Sequence, residues 1–359
     1  MSANTTTMPP AASGETMSGW RLTGIVLLCS RFVQGWIYWG GGSRRFIYAP
    51  KKLDPSAPQW MANKFQTAMP GALLGTEHFV SFLLHHFYLL YAGIIVFSAV
   101  ELFFGLFLIA GFLTRLSALA TMGLSFTLMI LFGWQGATCI DEWTMAACNF
   151  GIGATLLIGG GGAYSIDSWL MRRRPATAAK PWFRWLASGP LPERTVIALG
   201  KALLVVTVLF VVLTYNYYRG SVFTPFHAGP VSPAKHHVSL TDGRVLANGG
   251  ISFHAYLDGG TADVPAHIVR VELRGADGKV VEVWNGTQLA ALGKAAFANE
   301  YAYNQFRAGF ESIQAAVGSK ATITLPAAQP DVRLGAATYE IEATTIDAKS
   351  FRTAARFAR

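Results

Sequence analysis

The sequence predicts an α-helical membrane bundle of four transmembrane helices, a fifth anchoring helix, and a C-terminal β-sandwich on the extracytoplasmic side. Three observations predict it. The 359-residue chain is 52% hydrophobic and only 14% charged, whereas an ordinary soluble domain is roughly 25% charged. Five runs, near 20–39, 87–113, 116–134, 143–166 and 196–218, reach the roughly 17 apolar residues needed to cross a hydrocarbon core about 30 Å thick. Beyond residue 219 the composition becomes that of soluble protein, with short alternating runs separated by Gly-containing turns.

The tail Met1–Gly19 has no basic n-region, and no small-residue cleavage pattern follows it. It reads as disordered, and the first run as a retained span rather than a removed signal. Trp20, Trp36, Trp39, Tyr88, Tyr91, Trp134, Trp143, Tyr164, Trp169, Tyr215 and Tyr217 fall near the ends of the runs, where amphipathic rings meet lipid headgroups. The four-span domain covers 20–170. A basic linker, 171–195, carries Arg172, Arg173, Arg174, Lys180, Arg184 and Arg194, whereas the loop before the fourth span carries Asp141 and Glu142 and no base. The excess of Lys and Arg places the linker in the cytoplasm. The N-terminus is then cytoplasmic, while 40–86 and the region after the 196–218 anchor lie outside. Arg44, Arg45, Lys51, Lys52 and Lys64 also fall outside, against the rule, as a loop serving an anionic ligand would require. The expected location is the cytoplasmic membrane of a bacterium or archaeon, crossed several times.

Region 219–359 reads as β-rich. His237–Leu240, Ile251–Leu257, His267–Leu273, Val280–Trp284 and Tyr339–Thr345 alternate or are β-branched, and Asp242-Gly243, Gly249-Gly250, Gly259-Gly260 and Asp277-Gly278 supply turns. Ala291–Val317 lacks alternation and is expected to be a helix or a long connection.

Two ionised side chains sit inside apolar runs, Arg31 in the first and Glu101 in the second. A charge at the bilayer centre costs roughly 2.5–3.5 kcal/mol on insertion scales, so such groups tend to be paired and functional. Each lies near the midpoint of its run, and the two are expected to pair. Arg31, Gln34 and Tyr38 are spaced i, i+3, i+7, as are Ser98, Glu101 and Gly105, so each helix presents a polar stripe to the bundle interior. Asn149 and Gly153 extend that interior in the fourth span, and Ser117, Thr121 and Ser125 give the third a small-residue seam. The functional reading is a pocket where Glu101 passes protons and Arg31 or Asn149 holds a buried carbonyl ligand such as a quinone, with Gln34 and Tyr38 beside it. The alternative is a structural ion pair that fixes helix register.

Gly40-Gly-Gly-Ser-Arg-Arg-Phe-Ile-Tyr-Ala-Pro-Lys-Lys combines flexible backbone with Arg44, Arg45, Lys51 and Lys52, a combination suited to cradling a small oxyanion or to touching phospholipid headgroups. Cys139 and Cys148 could form a disulfide or carry a sulfur intermediate, because thiolates attack sulfur–sulfur bonds; the alternative, shared with Cys29, is apolar packing. No metal or flavin site is expected. The eight histidines are scattered, and neither C-x-x-C nor a Gly-rich dinucleotide motif occurs. The net charge of +9 suits an anion-handling surface or acidic lipid, and no nucleic-acid partner is expected.

The first four spans, with Arg31, Gly40–Pro55, the stretch from Glu101 through Gly105 and Gly111 to Thr114-Arg115, and Cys139-Ile-Asp-Glu-Trp, resemble DoxD of the wider DoxX-like membrane family. The remainder, with Val269-Arg-Val-Glu-Leu, Tyr303-Asn-Gln-Phe-Arg and Lys320-Ala-Thr-Ile-Thr-Leu-Pro, resembles DoxA. The resemblance implies a fusion of two subunits of thiosulfate:quinone oxidoreductase. The implied activity is that of thiosulfate dehydrogenase (quinone), joining two thiosulfates into tetrathionate and reducing a membrane quinone. Within that scheme Arg44, Arg45, Lys51 and Lys52 would gather thiosulfate. Gln34, Tyr38 and Asn149 would flank the quinone, and Glu101, Arg31, Cys139 and Cys148 would do the chemistry. A terminal oxidase or a second copy of the chain is a further expected partner. A competing reading is a non-catalytic scaffold that binds lipid or quinone and docks a separate redox partner. An anion permease is a third, disfavoured by the lack of inverted repeats.

Overall fold

The computed structural model describes residues 19–48, 50–135, 142–219, 235–262, 264–329, 334 and 337–357. All of the expected disordered tail except Gly19 lies outside these residues, as does Cys139.

The N-terminal region is helical. The first apolar run is divided at Leu27 into α1 (Gly19–Val26) and α2 (Leu28–Ser43). A π-helical stretch, Arg44–Tyr48, and a 3₁₀ turn, Pro50–Leu53, lead to α3 (Met61–Ala68) and α4 (Thr76–His85). The later runs form α5 (Phe87–Ala110), α6 (Thr114–Phe132) and α7 (Glu142–Gly159). Short helices α8 (Ile166–Arg173), α9 (Pro175–Ala178) and α10 (Pro181–Leu186) then precede the long α11 (Glu193–Arg219). Three of these are long and apolar enough to cross a membrane: Phe87–Ala110, Thr114–Phe132 and Glu193–Tyr218. The first run falls short because it is broken at Leu27, and α7 carries Glu142, Thr144 and Asn149 in its first half.

Helices α2, α5, α6 and α7 pack around a shared interior, α2 on α5 and α7, α6 on α5 and α7. The expected polar stripes face inward: Arg31, Gln34 and Tyr38 of α2, Ser98, Glu101 and Gly105 of α5, and Asn149 and Gly153 of α7 are buried. Ser117, Thr121 and Ser125 are fully buried along α6. Helix α11 leans on α7, and its apolar window is otherwise unburied within the protein, as expected of a helix whose solvent is lipid.

The C-terminal region is β-rich: β1 (His237–Val245), β2 (Ile251–Gly259), β3 (Ala266–Arg274), β4 (Val280–Trp284), a short α12 (Gly286–Ala290), then β5 (Phe297–Asn299), β6 (Arg307–Gly309), β7 (Ser312–Ala315), β8 (Lys320–Leu325), β9 (Thr338–Thr345) and β10 (Ser350–Phe357). The strands join in the order β5-β8-β2-β1-β10-β9-β3-β7-β6, with β4 on β3. Inward residues such as Phe253, Leu257, Val271, Ile323 and Ile341 are fully buried. Ala291–Val317, expected to lack strands, contributes β5, β6 and β7; these are only three or four residues long, too short for alternation to register. Asp242-Gly243 is not a turn between strands. It is a bulge within β1, with Asp242 at φ 52° and a register shift between Thr241 and Arg244. A Cβ on Gly243 would lie 2.5 Å from Ala354 O, so the glycine admits the parallel neighbour β10.

The β region sits on α3 and α4. The Gln66 side chain donates to Asn304 O (2.9 Å) and Gly318 O (3.0 Å) and accepts from Asn304 N (2.8 Å). Ser81 and Tyr301 share a hydroxyl bond of 2.9 Å. Lys320 reaches Glu77 at 3.4 Å and stacks over the Tyr256 ring at 4.4 Å. Burial, with Glu77 beside it, holds the Tyr256 phenol well above its ordinary range.

Candidate functional site

The site begins with glycines. Cβ atoms added at Gly35, Gly105 and Gly42 would fall 2.8 Å from Gly105 O, 2.2 Å from Trp39 N and 2.5 Å from Leu102 N, so α2 and α5 lie backbone to backbone, as small residues permit. The pairing is antiparallel, and it fixes what each charge meets. A Cβ on Gly111 would lie 2.9 Å from Arg31 Nη1, and one on Gly41 would lie 3.0 Å from Glu101 Oε2. Ten residues of α5 separate those two points, about 15 Å along a helix at 1.5 Å per residue.

The expected Arg31–Glu101 pair is therefore not formed. Arg31 donates to Gly161 O and to Tyr164 O (2.6 Å), within a polar knot where the α7–α8 loop meets the start of α6. Arg115 donates there to the carbonyls of Leu157, Ile158, Arg184 and Gly189. Asp167 accepts from Leu113 N, Thr114 N and the hydroxyls of Thr114 and Ser188. These buried charges satisfy orphan backbone groups at helix ends. Arg31 is spent on main-chain carbonyls, away from Glu101.

Glu101 pairs instead with Arg45. The helix of α2 runs straight on through Gly40–Ser43 into the π-helical turn, which swings Arg45 back over α5, with its guanidinium 5.7 Å from the Phe97 ring centre. The glycine-rich stretch is thus not a flexible amide cradle. Its N–H groups are spent within the helix, Arg44 N donating to Gly40 O and Gly42 O, and only side chains remain to hold an anion. One turn below Gly41, the Tyr38 hydroxyl bonds Ser125 Oγ (2.6 Å) and donates to Thr121 O (3.0 Å). Gln34 Nε2 donates to Asn149 O (2.9 Å), tying α2 to α7.

Around the Arg45–Glu101 pair opens a cavity of about 800 Å³. Arg44, Arg45, Lys52 and Lys64 line it against two carboxylates, Glu101 and Glu142, an excess of positive charge. Lys64 bonds Glu142 (2.9 Å) and Gln135 (3.1 Å). Partial desolvation, then the neighbouring Arg45, Arg44 and Lys64 cations, hold the Lys52 ammonium below the usual lysine range. Trp36, Trp60, Phe97 and Phe132 form apolar wall, Tyr38 and Asn149 lie at the bundle end, and Ala262, Asn304 and Ala316 of the β region line the opposite side. Trp36, Ile37 and Met145 of the cavity lining are 53%, 39% and 43% exposed.

Six expected site residues, Glu101, Arg44, Arg45, Lys52, Tyr38 and Asn149, thus share one cavity. Arg31, Gln34, Lys51 and Cys148 do not line it. Gln34 is buried, and Cys148, on the exposed face of α7, is a free thiol among the described residues; its expected partner Cys139 lies outside them. His85 and His86 place Nδ1 on carbonyls of their own helix, Ser81 O and Phe82 O, outside the cavity. Lys64, Glu142, Trp60 and Asn304 were not expected in the site. Lys64 stood out in the sequence only as an outside base, and Asn304 only as part of the Tyr303–Arg307 segment. No local pattern joins positions 64, 142 and 304.

Residues 26–193 match the family described as TQO small subunit DoxD, and residues 218–354 match the family described as TQO small subunit DoxA, TQO standing for thiosulfate:quinone oxidoreductase. The two matches follow one another in a single chain.

Proposed function

We propose, from a chain that joins the DoxD and DoxA families of thiosulfate:quinone oxidoreductase in one polypeptide, that it oxidises thiosulfate to tetrathionate and reduces a membrane quinone within the cavity around Glu101. The observation that carries this reading is the composition of that cavity: a basic wall and an aromatic wall in one space, lined by both family regions. Two thiosulfate dianions lose one electron each as a sulfur–sulfur bond forms between their outer sulfurs. The quinone gains those two electrons and two protons.

Two dianions repel by about 4 kcal/mol at 4 Å even in bulk water, four times the figure for unit charges, and by more in a lower dielectric. Bringing two together needs fixed cations, and Arg44, Arg45, Lys52 and Lys64 supply them. Arg45 and Arg44 present planar forks matched to oxyanions. A quinone, apolar and planar, suits the Trp36–Phe97 side and enters past Trp36, Ile37 and Met145, exposed apolar side chains of the lining. Glu101, the buried carboxylate paired with Arg45 on the cavity lining, delivers a proton to the reduced quinone. In this reading α2, α5, α6 and α7 cross the membrane with α11 as a fifth span. The basic α8–α10 end is cytoplasmic, and the cavity and β region face outward, from which thiosulfate arrives.

The test is an anaerobic assay of the purified full chain with thiosulfate and a soluble quinone analogue. One tetrathionate per quinol is expected. Replacing Arg44 and Lys52 by Ala together is expected to raise the thiosulfate KM by about tenfold or more, equivalent to about 1.4 kcal/mol or more of lost binding, with the quinone KM little changed. Absence of turnover in the isolated chain would favour the scaffold reading, and an unchanged thiosulfate KM would remove the basic wall from the anion's path.

A further inference from the structure

The Arg45–Glu101 ion pair lies on the cavity wall rather than behind it, so an anion entering the cavity meets a guanidinium already committed to a carboxylate. Resting on the reading above, we propose that an arriving oxyanion draws Arg45 away from Glu101, and that the carboxylate, stripped of its partner, takes up one proton. Substrate binding would thereby load the proton that quinone reduction consumes.

The geometry supports this in four ways. Arg45 is the residue that bonds the Glu101 carboxylate, and Glu101 is only 8% exposed. Arg45 keeps donor capacity in hand, since its Nε has no hydrogen-bond partner. It stands on a π-helical turn, Arg44–Tyr48, a local form found frequently at functional sites. Lastly, its neighbours favour the exchange. The ionisable groups facing Glu101 across the cavity are Arg44, Arg45, Lys52, Lys64, Tyr38 and Glu142, and the inward face of α5 adds no other. A dianion held by Arg44, Arg45 and Lys52 satisfies those cations and leaves Glu101 beside new negative charge. A buried carboxylate in that position neutralises by binding a proton rather than remaining ionised. The proton comes from solvent, no bond to sulfur changes at this step, and it passes later to the quinone oxygen as electrons arrive.

The experiment is calorimetric titration of thiosulfate into the detergent-solubilised full chain, freed of quinone so that no turnover occurs, at neutral pH in buffers of different ionisation enthalpy. The expected result is uptake of about one proton per bound anion in the wild type, and binding without uptake in Glu101→Gln. Should that variant not fold, infrared difference spectra of the wild type with and without thiosulfate carry the test through a new protonated-carboxyl band that shifts in heavy water. Anion binding with no proton uptake, or undiminished uptake in Glu101→Gln, overturns the inference and leaves the anion site standing. No binding in any buffer overturns the basic wall and this inference with it.

Discussion

Arg31 and Glu101 look alike in the sequence, each a lone charge inside an apolar run, yet they meet different partners. Arg31 ends on main-chain carbonyls, filling acceptor positions that loops at helix ends leave open. Glu101 ends on another side chain at the wall of a cavity. Lys52 shows how the cavity tunes its own groups. Its ammonium is held below the usual lysine range by partial desolvation and by Arg45, Arg44 and Lys64, so it loses its charge at a lower pH than an ordinary lysine, whose pKa is about 10.4. Thiosulfate stays a dianion over that interval, so only the protein side titrates. The thiosulfate KM is therefore expected to rise as pH increases toward the lysine range. In Lys52→Arg, which keeps its charge, the rise should move to higher pH; KM–pH profiles of the two proteins check this, and coincident profiles would remove Lys52 from the anion's reach.

At the scale of elements, the α2–α5 contact sets the site. Because Gly35, Gly42 and Gly105 put backbone against backbone, one register is possible, and that register opposes Glu101 to Gly41 rather than to Arg31. A Cβ at Gly105 would sit 2.2 Å from Trp39 N and 2.9 Å from Gly35 O. These are main-chain atoms with no rotamer to relieve the overlap, so Gly105→Ala must push the helices apart. Overpacking of this kind costs typically 1–3 kcal/mol. Gly105→Ala is expected to lower the unfolding midpoint in detergent and to reduce thiosulfate-dependent turnover. Gly123→Ala on α6, where a Cβ would meet nothing within 4 Å, should leave both unchanged or raise stability by up to about 1 kcal/mol. Thermal unfolding of both variants beside the wild type decides the matter.

For the whole molecule, the β region completes the cavity as well as resting on it. Gly318, at φ 86°, brings its backbone so close to Gln66 that an added Cβ would lie 2.0 Å from Gln66 O. Asn304, bound on both its main-chain groups by the Gln66 side chain, is thereby set into the cavity lining. Gly318→Ala is expected to lift the β region from α3 while leaving its strands folded. Hydrogen exchange should then quicken around residues 61–68 and 301–305 with the β2 and β9 strands still protected, and the thiosulfate KM should rise. Unchanged exchange at α3 would show that the contact does not hold the two regions together.

The apolar runs, the inward stripes at Arg31–Gln34–Tyr38 and Ser98–Glu101–Gly105, and most long strands could be read from the sequence, because hydrophobic burial and the periods of helix and strand act over neighbouring residues. The basic residues after the first span could be picked out from their chemistry alone, and three of them, Arg44, Arg45 and Lys52, line the cavity. The structure decided which charges meet. Pairing across helices depends on a register fixed by the closest backbone approach, and ten residues along α5 separate the arginine bound to main-chain carbonyls from the carboxylate paired with Arg45. It also decided that Gly40–Ser43 is helix rather than loop, since a helix already nucleated and packed on α5 extends through glycines that would not start one. The closure of the cavity by Asn304 and Lys64 likewise comes from tertiary contact alone. The physical reason is one of range: burial and periodicity are properties of adjacent residues, whereas the partner of a buried charge is set by whatever the fold carries to it from elsewhere in the chain.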